Sequence, residues 1–118
     1  VEVFPVFDSV SSNALQSALD GLAARQRATA DNIANINTPH YLAARVDFEG
    51  ALRSAVNGGT GVARATEGRS TDPTREDGNN VDLETETLSS IDTQLRYQLL
   101  TQAISNKLTS VQTALRTS

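Results

Sequence analysis

The chain has 118 residues and no cysteine, carries a formal charge of −4 and has a pI near 4.8. That is enough polypeptide for one domain, but it excludes disulfides and thiolate metal sites, and it lacks the clustered basic face that a nucleic-acid backbone demands. Aromatic residues make up 4% of it and the mean hydropathy is −0.31, so little material is available for a thick core, and apolar surface on long helices is expected to be buried against something else.

Residues 1–10, "VEVFPVFDSV", read as an N-terminal extension. They have neither the basic start nor the apolar length of a secretory signal, and nowhere does the chain hold the roughly 18 apolar residues of a membrane span. Direct membrane insertion is therefore not expected.

A helix is predicted over residues 11–38. Its ladder climbs in steps of four and three through Leu15, Leu19, Leu22, Gln26, Thr29, Ile33 and Ile36, which is the spacing of a coiled-coil seam. Polar Gln26 and Thr29 weaken its middle, as suits a helix with several neighbours; an amphipathic helix of a small, loosely packed bundle is the plainer alternative.

Pro39 pushes Thr38 out of helical geometry, so the helix should stop at or near Asn37. Asn35 and Asn37 are placed to adopt a left-handed C-cap and to donate to the last free carbonyls, with Asn32 on an adjoining face. Buried between chains, such a row of amides would fix axial register, because a slipped arrangement leaves each polar group unpaired at about 1–3 kcal/mol. Exposed, it is no more than a generous cap.

Residues 39–56 read as a turn, then a short strand or extended crossing over 41–48, then a short helix capped by Asp47, with Phe48, Leu52 and Val56 on one face and Asn57-Gly58-Gly59 at its end. Residues 57–80 hold five of the seven glycines and seven charges, with Val62 the only large aliphatic side chain. They are expected to form a mobile loop, since they bury too little to offset the entropy of ordering.

Residues 81–118 read as the last helix, opened by Asp82, with Glu84 and Glu86 at its positive end and Lys107 and Arg116 toward its negative end. One apolar stripe runs Leu88, Ile91, Leu95, Leu99 and a second, offset by one residue, runs Leu100, Ile104, Leu108, Val111, Leu115. A face that wide suits burial between more than one partner.

Nothing along the chain assembles into a catalytic set. His40 is the single histidine, without a nucleophile motif beside it, and no second histidine or cysteine could complete a zinc site. "DGNNVDLETE" at 77–86 misses the calcium-loop pattern, since Val81 and Asp82 stand where an oxygen ligand and glycine belong. It reads better as a turn at Asp77-Gly78, left-handed backbone at Asn79-Asn80 and a cap at Asp82. A non-enzymatic protein with no catalytic, metal or cofactor residues is expected.

"ADNIANINTPHY" at 30–41 resembles the N-terminal signature of bacterial flagellar axial proteins, the rod, hook and hook-associated family, written A-N-N-(I/L)-A-N-x-x-T-P-G-Y. "RVDFEGALRSA" at 45–55, "DGNNVDLETE" at 77–86 and "LRYQLLTQAISNKLTSVQTALR" at 95–116 are similar to the proximal rod branch of that family. Two positions depart from the signature: Asp31 replaces an asparagine, and His40 replaces the glycine that a type II turn would favour, so either that turn is strained or a type I turn replaces it.

The elements above make a mainly α fold, long terminal helices with a short irregular or β segment and a flexible loop between them, and the resemblance implies that those helices pack antiparallel as a coiled-coil-like pair. It implies a structural rod subunit that stacks helically with copies of itself and with other rod proteins, meets the adaptor joining rod to export gate and inner-membrane ring, leaves the cytoplasm through the flagellar type III apparatus, and works in the periplasmic rod. Asn32, Asn35, Asn37, Thr38, Pro39 and Tyr41 become the assembly motif, with Tyr41 at a subunit contact. The two ladders become helix seams, Leu15, Leu19, Leu22, Ile33 and Ile36 on one helix and Leu88 to Leu115 on the other. A second proximal rod protein of the family, and outside it a soluble two-helix binding module, are the alternatives.

Overall fold

The structure is a computed structural model that describes residues 9–117. The expected N-terminal extension lies outside the described residues apart from Ser9 and Val10. The element order is α1 (Ser9–Ala34), β1 (Ala44–Asp47), α2 (Glu49–Asn57), β2 (Thr66–Arg69) and α3 (Leu83–Thr117). The molecule is elongated, 66 × 26 × 14 Å. Its two long helices, of 26 and 35 residues, run antiparallel: Ser11 meets Lys107, Gln26 meets Ser90 and Asn32 meets Glu86. Among the described residues no helix is long and apolar enough to cross a membrane.

The first helix ends three residues earlier than Pro39 alone required. The Asn35 amide N–H reaches both the Asp31 and Asn32 carbonyls, at 3.0 and 3.1 Å, and Ile36 N–H bonds back to Ile33, so the chain tightens out of the α-helix directly after Ala34. The expected left-handed caps at Asn35 and Asn37 are not formed. His40 is the one described non-glycine residue with positive φ, at 61°. It sits third in a turn closed by Tyr41 N–H on the Thr38 carbonyl at 3.3 Å, which is type II geometry with Pro39 second. The strained version of the turn is the one adopted.

β1 and β2 pair antiparallel, Ala44 opposite Arg69 through Asp47 opposite Thr66. The mobile loop expected over 57–80 therefore contains a strand, and its flanks are tied down as well. Gly61, at φ 70°, accepts from the Ser17 hydroxyl on α1, which in turn accepts from Ala63 N–H. Ser70 N–H bonds the Ala43 carbonyl. Composition argued from apolar burial; backbone hydrogen bonds order this segment instead.

Asp47 closes β1 rather than capping α2, whose N-cap is Phe48 without a side-chain cap bond. Phe48 is buried with its ring over Gly21 of α1, where any Cβ would collide with it. Arg25 stacks its guanidinium 4.7 Å from that ring's centre. Asp82 does open α3, accepting from Glu84 N–H and the Thr85 hydroxyl; the Thr85 bond holds its carboxyl below the ordinary carboxylate range.

Candidate functional site: a polar junction and an outer apolar face

The asparagines of the predicted motif sit where α1, β1 and the start of α3 converge, and one of them is the centre. Asn32 is 0% exposed. Its amide donates to the Ala44 carbonyl and to Glu86 Oε2, both at 3.0 Å, while its oxygen accepts from Ala44 N–H at 2.8 Å and from the Tyr41 hydroxyl at 3.2 Å. All four bonds an amide commonly makes are thus filled within one chain. The register that Asn32 sets is that of β1 and α3 on α1.

Glu86, also 0% exposed, accepts from Arg45 at 2.7 Å as well as from Asn32. Part of its charge is met by a guanidinium and part by an amide, which a buried carboxylate needs. The sequence placed Glu86 among residues that favour the exposed positive end of a helix; the fold turns it inward, because its position four residues after Asp82 lands on the face of α3 toward α1.

The carbonyls left at the end of α1 are satisfied from the far side of the loop. Asn79 donates to the Asn35 and Thr38 carbonyls at 2.9 and 2.8 Å and Arg75 donates to Ile36 at 2.6 Å. Asn80 accepts from Ala43 N–H and donates to the Ser70 and Asp72 carbonyls. Asn79 and Asn80, expected to lend left-handed backbone, do not; Gly78 does, at φ 80°, tightly against His40. Their side chains carry the work. Asn35 caps the Asp31 carbonyl at 2.8 Å and accepts from Thr38, Pro39 shapes the turn, and Asn37 is exposed. Tyr41 is half-buried, its hydroxyl turned inward and its ring under Arg69.

Beside the junction, Arg25 forks onto Glu49 at 2.6 and 2.8 Å and donates to the Val46 carbonyl. The Arg25 hydrogen bond lowers the Glu49 pKa to about 2, against burial, and Arg25 is raised in return.

The helix seams divide differently. On α1, Leu22 is buried, Leu15 and Leu19 are half-buried and Ile33 is exposed; Ile36 lies past the helix end and is half-buried. On α3 the side toward α1 follows Glu86, Ser90, Thr93, Leu100, Ile104, Lys107 and Val111, polar for its first half. The predicted first stripe is on the opposite side: Leu88, Ile91, Leu95 and Leu99 are 50–71% exposed. Of the second stripe Ile104 and Val111 are half-buried, and Leu108 and Leu115 are exposed. Docking Glu86 on Asn32 sets the rotation of α3, and that rotation faces the stripe outward.

Nothing in the sequence pattern marks Arg45, Glu86, Arg75, Arg25 and Glu49 as partners. The adjacent amides of Asn79-Asn80 after a glycine turn were a usable sign; the ion pairs, 24 and 41 residues apart, left none.

The model of the flagella basal body rod protein family matches residues 13–41, which hold the Asn32 hub and the Pro39 turn. Over 86% of its length the chain is 32% identical to the flagellar basal body rod protein FlgB of Escherichia coli strain K12, covering 89% of that protein. It is 29% identical to FlgB of Bacillus subtilis strain 168, with the same coverage of both chains, and 32% identical to FlgB of Borrelia hermsii over 79% of this chain and 86% of that one. These matches span both helices and the loop between them.

Proposed function

The chain belongs to the FlgB type of flagellar basal body rod proteins, and we propose from that premise that it builds the proximal rod by burying the outer face of α3 in neighbouring subunits. It is a structural subunit of the basal body and associates with other basal-body components. In finer terms, it stacks helically with copies of itself and with other rod proteins, forming a wall that transmits torque and encloses the export channel. The adaptor at the rod's base and the type III export apparatus are its other partners, and the periplasm is where the assembled rod lies.

The observation that carries this is the Leu88-Ile91-Leu95-Leu99 stripe, exposed on one side of a helix whose other side holds α1, together with Leu108 and Leu115, which are exposed elsewhere on the same helix. Covering each such side chain contributes on the order of 1 kcal/mol or more. Within the chain that side of α3 is left uncovered, because β1, α2 and the segment around Gly61 are packed on α1.

Leu95→Asp or Leu108→Asp is expected to stop flagellation with normal expression of the subunit, scored by soft-agar motility and electron microscopy of cells. Normal flagella in both variants would overturn the proposed contact.

A further inference from the structure

Between α1 and α3 lies a cleft of about 560 Å³, lined by Leu22, Ala23, Gln26, Arg27, Thr93 and Tyr97 among others. Thr93 at its floor is 2% exposed, and its hydroxyl is the one described buried side-chain polar atom with no hydrogen-bond partner. A buried orphan hydroxyl costs about 1–3 kcal/mol, so this part of the α1–α3 seam is not optimised within the chain, and the apolar opening above it is a seat for a side chain from outside.

Resting on the rod assignment above, we propose that the cleft receives Leu88 of a neighbouring copy, with that copy's Glu84 paired to Arg27. Three features select this occupant. At 100° per residue, the mouth of the cleft (Gln94, Tyr97, Gln98) and the apolar stripe (Leu88, Ile91, Leu95, Leu99) point about 110° apart around α3, so a stripe seated in a cleft joins unlike faces. Such a heterologous contact propagates from copy to copy instead of closing a dimer.

Charge and spacing agree as well. Arg27 lines the cleft mouth, Glu84 lies on the stripe's own line one turn before Leu88, and neither is in an ion pair among the described residues. Glu84 precedes Leu88 by four residues and Arg27 follows Ala23 by four, about 6 Å in each helix. With Leu88 level with Ala23, the carboxylate meets the guanidinium only if the incoming α3 runs parallel to the host's α3. Parallel helices are what subunits of one polar stack present to each other.

The chain's lack of cysteine makes the test direct. Ala23→Cys and Leu88→Cys, both at exposed positions, are expressed singly and together in the flagellated bacterium, and isolated basal bodies are oxidised mildly. The double variant is expected to give a ladder of cross-linked multimers, the single variants none. Motile cells whose double variant stays a single band would overturn the cleft contact while leaving the rod assignment standing. Where the cysteine variants fail to assemble, the charge swap decides. Arg27→Glu or Glu84→Arg alone should lower rod yield roughly fivefold or more, and the two reversals together should restore it; failure of that restoration with both chains folded overturns the proposal. Rods built normally by Leu95→Asp and Leu108→Asp would count instead against the rod contact itself.

Discussion

Two faces of α3 are built on opposite plans. Toward α1 and β1 the helix buries the Glu86 carboxylate, which accepts from buried Asn32 and half-buried Arg45 in hydrogen bonds that close within the chain; on the opposite face, from Leu88 onward, it leaves leucines in the open. The contrast separates two tasks. A closed polar network has one satisfied arrangement, so it sets how α3 is rotated and how far it is displaced along α1. An open apolar face is indifferent to detail until a neighbour covers it, and so it serves association.

The sharpest way to break that contrast is at Asn32. Asn32→Ala removes four hydrogen bonds and leaves the buried Ala44 N–H and Glu86 Oε2 without that partner, at about 1–3 kcal/mol each, while the Ala44 carbonyl keeps Arg45. A loss of at least about 3 kcal/mol is expected in urea unfolding, with the variant failing to assemble because α3 is no longer held in register. Leu95→Asp tests the other plan. It should abolish assembly yet change the isolated subunit's unfolding free energy by no more than about 0.5 kcal/mol, and a large destabilisation would mean that the stripe belongs to the subunit's own core.

Smaller effects sharpen the picture at the rim of the junction. His40→Gly relieves a left-handed backbone that costs a side-chain-bearing residue about 1–2 kcal/mol, partly offset by the greater freedom of glycine in the unfolded chain. A gain of about 0.5 kcal/mol in thermal or urea unfolding is expected. The least is expected from Glu49. Its folded pKa of about 2 lies below the ordinary value of 4.5, so its pairing with Arg25 stabilises the fold above pH 4.5 and is lost as the pH falls through that window toward 2. In Glu49→Gln, the decline of melting temperature between those pH values should be shallower than in the parent; identical slopes would show that the pair adds nothing.

Much of the fold was legible along the chain. Periodicity announced both long helices, Asp82 announced the start of the second, and Asn57-Gly58-Gly59 the end of the short one, because helices and caps are written in residues three or four apart. The wide apolar face of α3 was visible for the same reason, and so was its excess over what one partner can cover. The family signature at 30–41 was legible too, as was the turn problem at His40.

Pairings between distant segments were not. That Glu86 goes inward, that Asn79 and Arg75 finish α1 from some 40 residues away, and that residues 66–69 make a strand all depend on which backbone groups remain unsatisfied once the helices are docked. An asparagine can cap, turn or bridge with equal ease, and local sequence does not say which. The choice is made by the burial of unpaired carbonyls and amides, whose cost exists only when distant parts of the chain have been brought together.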